Sequence, residues 1–116
     1  MEVQELLNIY AAHPGVNALG TLIREETARN IFLKGLSGSG AALTIAALFS
    51  ENKGKKGSYL CVLNDLEEAG YFFHDLVQLT VSSDVYFFPS AYRRSIKYGH
   101  TDPANEILRT EVLSRL

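Results

Sequence analysis

Residues 39–50, SGAALTIAALFS, are apolar nearly all round a helical wheel, through Leu43, Ile45, Ala46, Ala47, Leu48 and Phe49. A helix without a polar face has no side to give to water, so it has to be covered on more than one side. A chain of 116 residues must therefore fold so that other elements surround this helix. Enclosure on that scale is feasible, because a domain of this size buries roughly two thirds of its unfolded surface.

The remaining pattern suggests what surrounds it. Ile31-Phe32-Leu33, Tyr59 to Leu63 and Val85 to Phe88 are short continuous apolar runs bounded by turn signals. Such runs read as strands buried on both faces. Val3, Leu6, Leu7 and Tyr10 recur at helical spacing, which predicts a helix over 2–12 that stops at His13-Pro14-Gly15. Asn17 is the expected cap of a second helix, carrying Leu19, Leu22 and Ile23 and ending near Ala28 to Asn30. Asn64 or Asp65 caps a helix to about Leu79, with Glu67 and Glu68 in the first turn where the helix dipole favours acids. Asp102 as cap and Pro103 at the first position start a last helix through Ile107, Leu108, Val112 and Leu113. Helices alternating with apolar strands predict an α/β fold, a three-layer, mostly parallel sheet flanked by helices, in a single domain 1–116. Three strands are few for such a sheet, and no stop signal follows Leu113, so a fragment of a larger protein is expected.

The turn before the apolar helix, Gly35-Leu-Ser-Gly-Ser-Gly40, has the outline of a phosphate-binding loop. Such a loop aims backbone N–H groups and the positive end of the next helix at phosphate oxygens. Gly35, Gly38 and Gly40 suit that geometry. The chemistry also needs a Lys for the terminal phosphates and a Ser or Thr for Mg²⁺, and Ala41 and Ala42 stand there instead. Thr44 comes two residues late for the metal, and Lys34 precedes the loop. A dinucleotide fingerprint fits worse, because its third glycine falls on Leu43. Three readings follow. The loop is a turn between strand and helix, a weak anion site, or a nucleotide site whose cation comes from Lys34 or a partner.

The stretch from Gly35 to Ala46 resembles the first helicase motif of the excinuclease B subunit family, which carries Lys and Thr at the positions of Ala41 and Ala42. Tyr59 to Leu63 followed by Asn64-Asp-Leu-Glu-Glu, then Phe87-Phe-Pro-Ser-Ala-Tyr-Arg-Arg and Asn105-Glu-Ile-Leu-Arg109, are similar to later parts of the same domain. Taken together, residues 16–116 look most like the degenerate N-terminal module of the bacterial transcription-repair coupling factors. The resemblance implies a partial P-loop NTPase, helicase-like domain that serves as a non-catalytic scaffold and holds no cofactor itself. ATP and Mg²⁺ would belong to a downstream motor. The excinuclease A subunit, RNA polymerase and DNA would be engaged through downstream domains. In related ATPase domains a strand from later in the chain lies beside the loop strand, so an open sheet edge and self-association of the fragment are expected.

Tyr92, Arg93, Arg94 and Lys97, with Tyr98 and His100, form the one basic, aromatic-rich loop, a pattern that can stack bases and hold phosphates. The alternative is a loop packed on its aromatic rings with solvated arginines. A net charge of −2 and a pI near 5.9 argue against a domain that grips nucleic acid by charge alone. His13, His74 and His100 are scattered, which argues against a zinc site, and Cys61 is single, so no internal disulfide exists. No apolar run approaches the ~20 residues that span a bilayer, and the acidic MEVQELLNIY is unlike a secretory signal. A cytoplasmic protein without membrane partners is expected.

Overall fold

The computed structural model describes residues 1–26, 29–51, 58–80, 84–89 and 103–116. Among them five helices form: α1 (Val3–Ala12), α2 (Pro14–Glu25), α3 (Gly40–Glu51), α4 (Leu66–Thr80) and α5 (Pro103–Arg115). His13 joins the first two. Its N–H closes α1 on the Tyr10 carbonyl at 3.1 Å, and its Nδ1 accepts the Gly15 N–H at 3.0 Å. Pro14 is thus the first residue of α2, and the helix starts three residues before the Asn17 cap expected from sequence. Proline interrupts a helix only where its missing N–H is needed, and at the first position it is not. The α4 cap is Asp65, whose Oδ1 accepts the Glu68 N–H at 2.8 Å. α2 ends on Glu26 at φ 54°, a left-handed conformation that favours glycine. Glu26→Gly is therefore expected to stabilise the fold by about 0.5–1 kcal/mol, read as a raised urea midpoint; an unchanged or lower midpoint would mean that the Glu26 side chain offsets its backbone strain.

The three-layer α/β sheet is not what the chain builds. Among the described residues there is no strand and no sheet. The three segments expected as buried strands are extended, but no ladder of backbone hydrogen bonds joins them. In the first two of them apolar side chains also face outward, with Phe32 89 %, Leu60 88 % and Val62 83 % exposed, while in the third Val85 packs partly buried against the helical core. A short apolar run gives a segment the means to be buried but does not supply a pairing partner, and a strand exists only through its ladder. The sheet edge on which self-association was expected is likewise absent among the described residues.

Helices cover α3 in place of the sheet. α3 packs against α1, α2 and α4, as its all-round apolar sequence requires. The buried core consists of Leu7 from α1, Val16 and Leu19 from α2, Ala42, Ala46, Ala47 and Leu48 from α3, and Leu76 from α4. Small residues along α3 let neighbouring helix backbones come close. On α2, a Cβ at Gly20 would lie 3.5 Å from Leu48 Cδ2, an ordinary contact. The extended segments are tied on through aromatic rings. Tyr59 meets Phe49 edge to face at 6.3 Å between centroids, and Phe87 meets Phe73 at 5.5 Å. α5 reaches the same region through Arg109, whose guanidinium lies 4.9 Å from the Phe88 ring centroid, a favourable cation–π distance.

Candidate functional site

The glycine loop leads into α3, and its backbone has the turn that the glycines predict. Gly35 has φ 88° and Gly38 φ 54°, conformations in which an L side chain is strained. The Gly40 N–H donates to the Ser37 carbonyl at 2.9 Å, and the Leu43 N–H to the Ser39 carbonyl at 2.9 Å, so Ser39 is the last residue before the helix. A Cβ on Gly40 would make ordinary contact with Leu36 Cδ2 at 3.7 Å. Gly40 is therefore not forced by space or by positive φ, unlike its two partners in the motif.

The side chains at the head of α3 are engaged with the protein itself. Ala42 is 1 % exposed and belongs to the helical core, while Ala41 is half-buried. The position that would carry the metal-binding hydroxyl thus faces hydrocarbon. The buried Thr44 donates its hydroxyl to the Gly40 carbonyl at 2.8 Å, a back-bond within the helix rather than a metal ligand. Ser39 Oγ donates to Asp75 Oδ2 of α4 at 3.2 Å. A carboxylate of the protein itself therefore sits at the residue that precedes α3, near the positive end of that helix. Asp75 is 36 residues from Ser39, and nothing in the sequence links the two; only the packing of α4 on α3 does.

Lys34 is exposed and lines a separate cavity with Tyr10, His13 and Val16 of the α1–α2 corner. Tyr92, Arg93, Arg94 and Lys97 lie outside the described residues. Among the described residues no group of three or more His, Cys, Asp or Glu could hold a metal ion, and no helix is long and apolar enough to cross a membrane.

Cys61 is exposed by area, yet protein atoms near its sulfur partly desolvate it, and that burial pushes the thiol's pKa above its ordinary value. The folded state therefore favours the protonated thiol. Its contribution to stability is complete below the unfolded-state pKa and is lost as pH rises through the folded one. Alkylation by iodoacetamide should be slower at neutral pH than for a free cysteine, with the rate rising through a midpoint displaced to higher pH. A midpoint at or below that of free cysteine would contradict the desolvation.

Comparison of the chain with family models, with curated protein sequences and with solved structures finds no match.

Proposed function

We propose that this chain is a non-catalytic, cytoplasmic scaffold domain in which the glycine loop is structural, and that it belongs to a transcription-coupled repair factor. The observation that carries the non-catalytic reading is the head of α3. Ala42 packs in the core, and the Asp75 carboxylate stands at Ser39. Phosphate would meet a negative charge there, with neither a lysine at Ala41 nor a hydroxyl at Ala42 to hold it or Mg²⁺. Titration with ATP and Mg²⁺ in a calorimeter is expected to give no saturable binding below millimolar concentration. Micromolar binding would overturn the reading.

The repair assignment rests on the sequence resemblance alone; the partial P-loop NTPase, helicase-like sheet that the resemblance implies is absent among the described residues. In that proposal ATP, Mg²⁺, DNA, RNA polymerase and the excinuclease A subunit are handled by domains downstream of this one. It predicts a reading frame that continues past Leu116 into a motor with an intact Gly-Lys-Thr loop. A stop codon directly after Leu116 would remove it.

A further inference from the structure

A half-open pocket of about 390 Å³ lies where the α1–α2 corner meets the segment leading into the glycine loop. Its size falls within the roughly 300–1,000 Å³ range of small-molecule sites. Ile9, Val16, Leu19, Leu33 and Leu36 give it apolar walls. Thr44, the buried polar residue on its lining, has already committed its hydroxyl proton to the Gly40 carbonyl. Among the described residues no buried side-chain nitrogen or oxygen lacks a hydrogen-bond partner, so no orphaned polar group waits inside.

Of the polar side chains on the lining, Tyr10, His13, Lys34 and Thr44, the one cation is Lys34. Lys34 carries a full positive charge and is exposed, which places it on the open side. His13 accepts the Gly15 N–H through Nδ1, so a neutral ring must carry its proton on Nε2, leaving that nitrogen as a donor. Among the described residues no Asp or Glu lines the cavity. Apolar walls with a cationic donor on the rim and no opposing carboxylate match one kind of ligand.

We propose that this cavity binds a small amphipathic carboxylate, its hydrocarbon chain or ring against Val16, Leu19 and Leu33 and its carboxylate at Lys34. The apolar part supplies the bulk of the affinity through burial. Lys34 selects the charged head through a charge-assisted hydrogen bond. The site borders the glycine loop through Leu36 and α3 through Thr44, but it does not depend on whether that loop binds a phosphate.

The test uses octanoate as the probe, with octanol, inorganic phosphate and ATP as comparisons, followed by chemical-shift titration of the whole chain. Octanoate is expected to bind saturably and to shift the amides of residues 9–19 and 33–36. Octanol should bind several-fold more weakly, and phosphate and ATP should not compete. Lys34→Gln, at an exposed position, should weaken octanoate about two- to fivefold while leaving octanol unchanged. Ile9→Asp, which puts a carboxylate on the exposed lip, should abolish octanoate binding without unfolding the chain, as far-ultraviolet circular dichroism will show. Equal affinity for octanoate and octanol, or octanoate binding indifferent to Lys34→Gln, would overturn the carboxylate selection. No saturable octanoate binding at all would overturn the site. Competition by ATP would instead assign Lys34 to a nucleotide.

Discussion

Leu48→Ala is expected to destabilise the chain by about 3 kcal/mol, within the 2–5 kcal/mol typical of buried leucine truncations. Leu48 is the largest of the fully buried side chains, at 1 % exposed. It reaches across to Gly20 of α2, where a Cβ would lie in ordinary contact with its Cδ2 at 3.5 Å. Truncation opens a space between two helices that glycine and alanine neighbours are too small to refill. Among the described residues three of the eight buried apolar ones are alanines, so this core has few large side chains and each carries a large share. Small domains hold only about 5–15 kcal/mol in total, and a loss of this size should lower the melting temperature by roughly 10–20 °C. Urea and thermal melts measure it. A loss below about 1 kcal/mol would show that α2 and α3 do not depend on this contact.

Rebuilding the phosphate motif as Ala41→Lys with Ala42→Thr is expected to lower stability by about 1–3 kcal/mol and not to create an ATP site. The threonine would push extra atoms into a position that is 1 % exposed, and overpacking of a filled core costs about that much. Its hydroxyl would be directed into the core rather than toward solvent and Mg²⁺. The Asp75 carboxylate would still stand at Ser39. Calorimetric titration of the double variant with Mg²⁺ and ATP, beside its urea melt, checks both halves. Micromolar ATP binding by a fully stable double variant would mean that the loop lacks only its two chemical residues. A third arm, Asp75→Asn, keeps an acceptor for Ser39 but removes the charge. Any weak affinity for inorganic phosphate should appear there first.

The helices were legible because each is written locally. Leu6, Leu7 and Tyr10 mark one face of α1, Asp65 is a good cap for α4, and Pro103 sits where a helix start tolerates it. The start of α2 was misplaced because Pro14 has the same local chemistry as a breaker and as a first helical residue. The runs at 31–33, 59–63 and 85–88 misled in another way. Their apolar character is real, but pairing is a property of two segments at once, and the runs carry no record of a partner. At the candidate site, Gly35 and Gly38 announced their turn, since only their φ angles demanded glycine. Asp75 gave no signal at all.

By itself the sequence determined that residues 39–50 would be an enclosed helix, that a glycine turn would precede it, and that no cation or metal-binding hydroxyl would stand at its first turn. Those outcomes follow from hydrophobic period, backbone freedom and side-chain chemistry, all of which act over a few residues. The tertiary structure alone decided that helices rather than a sheet enclose α3, that Ala42 faces the core, that Asp75 meets Ser39, and that Lys34 borders a cavity with α1 and α2. Each of these depends on which distant surfaces come together. That choice is settled by the combined burial and close packing of the whole chain, a sum that no short window contains.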